Sequence, residues 1–160
     1  MAYEIIDNFL ELEYFKSIQD KMTSNFFPWY YIDSVGHTDD NKYGHFTHMA
    51  YDKYTINSEF YQSLTKVIEK LNPKAIIRIK ANLTMNMGVL AQSSMHVDWD
   101  FEHKGALLYI NTTNGPTILK DGTKIECIAN RLLKFNSYEE HASTFCTDKK
   151  YRIVINFNYF

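Results

Sequence analysis

The feature that most constrains the fold lies after Pro73. The run at 75–83, AIIRIKANL, alternates apolar and polar residues with period two, the spacing of a strand whose successive side chains face opposite ways. Short runs of similar character follow at 93–99, 106–111, 117–119, 124–127, 131–135, 142–146 and 151–159. Asn114-Gly115 and Asp121-Gly122 read as hairpin turns between them. So many short strands at such close spacing predict two packed antiparallel sheets, not a sheet of alternating strands and helices.

The chain before residue 75 reads differently. A short strand at 3–6 precedes a helix at 10–22, capped by Asp7 or Asn8, with Leu12, Phe15, Ile18 and Met22 at helical spacing. Pro28 in FFPWYY ends that element, and the polar stretch 33–43 reads as a surface loop. A second helix is predicted over 58–71, with Phe60, Leu64, Val67, Ile68 and Leu71 on one face and Asn72-Pro73 as its stop. The expected class is α+β, mainly β: a double-stranded β-helix (jelly roll, cupin-like) with N-terminal helices packed on one sheet. The 160 residues suit one domain, a helical lead-in at 1–74 and a jelly-roll core at 75–160.

Composition narrows the function. The formal net charge of -2 shows no basic excess of the kind nucleic-acid binding uses, so such a partner is not expected. Cys127 and Cys146 are too few for a disulfide framework, and no apolar run is long enough to span a bilayer. The N-terminal stretch carries acids and lacks a basic lead, so it does not read as a signal peptide, and the expected location is cytoplasmic. Aromatic residues reach 16%, which suits half-buried strands.

The chemistry is expected from a metal-binding pattern. His-x-Asp on a strand projects two ligands from one face, and a second His from a neighbouring strand completes a facial triad with open positions, the arrangement of non-haem iron(II) oxygenases. Two such pairs occur, His37-Thr-Asp39 and His96-Val-Asp98. The first lies in the polar loop and reads as a solvated turn. The second lies in a strand-like run, with Asp100 as a competing carboxylate. His141 follows NRLLKF, and Arg152 follows on the apolar final run YRIVINFNYF. An arginine on a core-facing strand calls for an anion, and a dicarboxylate would supply one. An internal ion pair of Arg152 with Glu126 or Glu140 is the structural alternative.

From Met95 to Phe160 the chain resembles the 2-oxoglutarate- and iron(II)-dependent dioxygenase superfamily, most of all its prolyl hydroxylase branch. The matching pieces are HVD (His96 to Asp98), LLYIN, NGPT, NRLLKF, EEHAS and YRIVINF. DNFLELEYF followed by FPW is similar to the helical lead-in of that branch. The resemblance implies that His96, Asp98 and His141 bind Fe(II), and that Arg152 grips the distal carboxylate of 2-oxoglutarate. It also implies that Tyr109 donates to that carboxylate and that Asn82 stands near the 2-oxo acid. O2 would be consumed, with ascorbate as reductant. The implied product is a hydroxylated C–H bond, first on a prolyl residue of a peptide or protein and alternatively on a free amino acid or small metabolite. A non-catalytic jelly-roll binding module is the reading from another class. Trp99 and Asp100 are candidate substrate contacts. His45 and His48 read as surface or substrate-side residues, and Gly105 stands where several prolyl hydroxylases carry a polar residue.

Overall fold

In the computed structural model of the chain, the structure describes residues 2–33 and 44–160. His37, Asp39 and most of the expected polar loop therefore lie outside the described residues.

The elements run in order as β1 (Tyr3–Ile6), α1 (Leu12–Thr23), β2 (Tyr30–Ile32), β3 (His45–Asp52), β4 (Thr55–Ile56), a 3-10 helix (Glu59–Leu64), α2 (Thr65–Leu71) and β5 (Ile76–Met85). Then follow β6 (Lys104–Tyr109), β7 (Thr113–Leu119), β8 (Lys124–Cys127), β9 (Leu132–Asn136), β10 (His141–Ser143) and β11 (Tyr151–Tyr159). The large sheet has the order β1-β9-β6-β11-β5-β3-β2, with β4 paired to β3. A smaller sheet, β10-β7-β8, faces it. Every pairing is antiparallel, as expected of a jelly roll. Among the described residues no helix is long and apolar enough to cross a membrane.

Period two divides the large sheet into two faces. On β5 and β11 the outward set, including Ile79, Ala81, Leu83, Ile153, Ile155 and Phe157, is buried in one cluster with Phe15, Ile18 and Met22 of α1 and Val67 of α2. Toward the small sheet, Leu107, Tyr109, Leu133, Phe135 and Val154 pack with Leu119, Ile125 and Cys127. That second cluster fills only part of the space between the sheets. Beyond it lies a cavity of about 260 Å³, lined mainly from β5, β11 and β10.

Several expectations need correcting. The chain before residue 75 is not purely a helical lead-in, because β2, β3 and β4 arise there and extend the large sheet beyond β5. α1 is not capped by Asp7 or Asn8. Asp7 pairs with Arg131 at 2.6 Å, Asn8 takes φ 49°, and Asn130 holds the Phe9-Leu10 backbone before the helix starts. Asn114-Gly115 is no hairpin turn. It lies within β7, where a β-carbon on Gly115 would stand 3.0 Å from the Thr144 carbonyl oxygen, so glycine there permits close approach of the two chains. Asp121-Gly122 does turn the chain from β7 to β8, with Gly122 at φ 83°. The run 93–99 is not a strand. Its one bridge joins His96 to His141, just after an isolated bridge between Gln92 and Thr144.

Candidate metal centre and its cavity

The His96–His141 bridge is the local event that assembles the site. Each backbone amide donates to the other's carbonyl, at 3.0 and 2.9 Å, so a ligand from an irregular segment sits beside a ligand from β10. The Asp98 amide donates to the Ser137 carbonyl at 3.3 Å and fixes the third member. Nitrogen and carboxylate atoms of His96, Asp98 and His141 consequently lie within 4.8 Å of one another. The ring orientations favour a metal. His96 Nδ1 sits 3.1 Å from the Ser94 carbonyl and His141 Nδ1 sits 3.0 Å from the Glu139 carbonyl, an arrangement that leaves both Nε2 atoms as acceptors. Burial lowers the His141 pKa against the pull of Asp98. Two imidazoles and one carboxylate match the donor set of a non-haem iron(II) site, so the residues present fit that ion. Asp100 does not compete with Asp98, since it is exposed and away from the cavity.

Asp98 is held by more than its two histidine neighbours. Arg78 donates to Oδ1 at 3.0 Å, while Asn156 at 3.0 Å, Asn158 at 2.8 Å and the Ser137 hydroxyl donate to Oδ2. Burial alone would raise this carboxyl's pKa. The pull of His141 and Arg78, with the Ser137 and Asn156 hydrogen bonds, outweighs it and keeps Asp98 ionised far below the usual carboxylate range. Gly105 makes room for this support, because a β-carbon there would lie 2.6 Å from the Ser137 β-carbon.

Arg152 closes the other end. It is buried, its Nε donates to the Gly115 carbonyl at 2.8 Å, and a terminal nitrogen donates to Thr117 Oγ1 at 2.9 Å. Among the described residues no carboxylate pairs with it. Glu126, one alternative partner, sits 3.6 Å from Arg131 instead. Tyr109 does not line the cavity. Its hydroxyl donates to Thr117 Oγ1 at 2.8 Å, and burial pushes its pKa up to about 12, so it remains a donor. Thr117 thus accepts from both Tyr109 and Arg152, leaving its own hydroxyl hydrogen for a ligand in the cavity that it lines. Asn82 lines the cavity as expected. Trp99 and Asp100 do not; Trp99 stacks on Phe101 and lies under the Arg78 guanidinium at 5.5 Å.

Sequence reasoning missed Arg78, Lys80, Ser137, Asn156, Asn158 and the role of His45. One available signal was that Arg78, Lys80 and Asn82, and again Arg152, Asn156 and Asn158, recur at period two on strands otherwise apolar. His45 and His48 are not surface residues. Both are buried on β3; His48 is satisfied by Pro28 O and Ser58 Oγ, while His45 lines the cavity. Burial, reinforced by Lys80 and His96, depresses the His45 pKa to about 4.

No protein-family model matches the sequence, and no curated protein matches it. Solved structures do. The viral collagen prolyl hydroxylase of Paramecium bursaria Chlorella virus-1, solved as its 2-oxoglutarate complex, superposes with a TM-score of 0.64 at 15% identity, over 99% of this chain and 95% of that one. The prolyl hydroxylase of Trichoplax adhaerens, bound to a peptide of hypoxia-inducible factor, gives 0.67 at 17% identity, over 99% and 83%. The chain has the fold that these oxygenases share. A 2-oxoglutarate-dependent epimerase from nogalamycin biosynthesis has it too, with a TM-score of 0.69 at 9% identity over 99% and 76%, so the fold serves more than one reaction.

Proposed function

We propose that this chain is an iron(II)- and 2-oxoglutarate-dependent dioxygenase that hydroxylates an unactivated C–H bond. The observation that carries the reading is a single cavity with a His-Asp-His triad at one end and a buried arginine, unpaired with any described carboxylate, at the other. His96, Asp98 and His141 would hold the iron. Arg152 would bind the distal carboxylate of 2-oxoglutarate through its remaining N–H groups, with the Thr117 hydroxyl as a second donor oriented by Tyr109. Asn82 would flank the 2-oxo acid. Iron and 2-oxoglutarate together supply the activation of O2, with release of succinate and carbon dioxide and ascorbate keeping the metal reduced. The protein's own part is to fix both ends of the co-substrate and shield the reacting atoms.

For the acceptor, a prolyl residue of a peptide or protein is the leading proposal, supported by the prolyl hydroxylases among the similar structures. A free amino acid or small metabolite is the second reading, favoured by the charged cavity walls. A non-catalytic module would leave the triad and Arg152 without use.

The test is direct. Protein purified anaerobically is given iron(II), ascorbate and 2-oxoglutarate, and succinate is followed under air. We expect 2-oxoglutarate-dependent succinate that disappears in Asp98→Ala. No 2-oxoglutarate binding by calorimetry, with metal present, would overturn the proposal.

A further inference from the structure

The cavity holds one more cation than iron and 2-oxoglutarate would use. Three basic side chains line it: Arg78 and Lys80 on β5, and Arg152 on β11. Arg78 is committed to Asp98 at 3.0 Å. Arg152 has the co-substrate role proposed above. Lys80 has neither an ion pair nor a hydrogen bond from its ammonium to any described residue, although it is half-buried in the cavity wall. An ammonium partly withdrawn from water with no partner is costly, and a bound anion offsets that cost.

Two further observations surround Lys80. Asn156 faces it across the β11–β5 register, and its side-chain oxygen is buried with no partner among the described residues. His45 lines the same cavity, and its Nδ1 is likewise buried with no partner among the described residues. The co-substrate's arginine belongs to another row of the sheet. Arg152 pairs with Thr84, four residues along β5 from Lys80, which is about 13 Å of strand. The two cations therefore address different anions.

We propose that Lys80, with His45 and Asn156, forms an anion subsite beside the metal triad that binds a carboxylate on the substrate to be oxidised. The proposal rests on the dioxygenase reading and narrows it. The carboxylate belongs either to a free or C-terminal amino acid or to an acidic residue next to the oxidised one. Asn156 adds an acceptor for an N–H or O–H near that carboxylate.

The experiment uses matched probes that differ in one charge. Manganese(II) replaces iron, 2-oxoglutarate is saturating, and binding is measured by calorimetry without turnover. One pair is N-acetyl-L-proline against N-acetyl-L-prolinamide. The other is acetyl-Asp-Pro-amide against acetyl-Asn-Pro-amide. We expect the acid of one pair to bind about tenfold or more tightly than its neutral partner. The preferred pair identifies the source of the carboxylate. Lys80→Met should erase the preference, Lys80→Arg should retain part of it, and both should keep wild-type melting and 2-oxoglutarate affinity. Three results would each overturn the subsite: no acid preferred or bound in the wild type, a preference that survives Lys80→Met, or a loss of 2-oxoglutarate in Lys80→Met like that in Arg152→Ala. Wild-type protein that fails to bind 2-oxoglutarate overturns the dioxygenase reading itself, a different signature from all three.

Discussion

The two faces of β5 and β11 share one backbone and do opposite work. Outward, Ile79, Ala81, Leu83, Ile153, Ile155 and Phe157 are nearly dry and pack in one cluster with residues of α1 and α2. Inward, Arg78, Lys80, Asn82 and Thr84 stand opposite Asn158, Asn156, Val154 and Arg152 in register. Three buried side-chain atoms that lack a partner among the described residues, in His45, Thr84 and Asn156, belong to residues lining the inward cavity. The difference teaches where stability and chemistry reside: one face is packed as folded, and the other leaves buried polar atoms unpaired among the described residues.

Breaking the inward face should cost function before fold. Arg152→Ala is expected to weaken 2-oxoglutarate binding by about a hundredfold or more, since a buried charge partner is worth ~3–5 kcal/mol once its counter-ion is in place. The same substitution should not lower the melting temperature of the ligand-free protein, because it removes a buried charge with no carboxylate partner among the described residues. Calorimetric titration and a thermal melt check the two halves. Breaking the outward face should do the reverse. Ile155→Ala is expected to cost about 2–5 kcal/mol of stability in a denaturant titration. It should leave 2-oxoglutarate affinity near wild type at temperatures where the variant is folded.

Arg78→Met sharpens the comparison within the inward face. It leaves the three proposed ligands in place but frees Asp98 Oδ1, so metal affinity should fall by about 10–100-fold in a competition titration. A further expected effect is on pH dependence. His45 is depressed from 6.5 to about 4, so between those values the unfolded chain takes up a proton that the folded one refuses. Its contribution to stability is therefore full above pH 6.5 and is lost as pH falls toward 4. His45→Gln should flatten that part of the stability–pH curve, measured by denaturation at several pH values.

The inward face also explains what could be read early. The order His96-x-Asp98, His141, Arg152 was legible because that sequence of residue types matches a facial triad followed by an arginine on an apolar strand. The support around Asp98 was not, because Arg78, Ser137 and Asn158 are 20, 39 and 60 residues away and meet it only across the sheets. Tyr109 shows the same limit: its place on β6 was readable, but its bond to Thr117 depends on how β7 passes over β6.

The sequence by itself determined the strand-rich class, two helical stretches before Pro73 and the residues that converge as a triad, though Leu12 is exposed and the second stretch opens as a 3-10 helix. Local alternation and composition carry the strand and helix readings, because period two or 3.6 decides which side chains share a face before any tertiary contact forms. The triad is read from the order of residue types, since His96 and Asp98 lie in an irregular segment. Only the tertiary structure decided that 93–99 is an irregular segment bridged to β10, that β2, β3 and β4 extend the large sheet, and that Asn114-Gly115 runs inside a strand. Those outcomes depend on pairings between distant segments. It also decided that the polar residues of β5 and β11 face a cavity between the sheets, since the same alternation would serve equally well with its polar side in water.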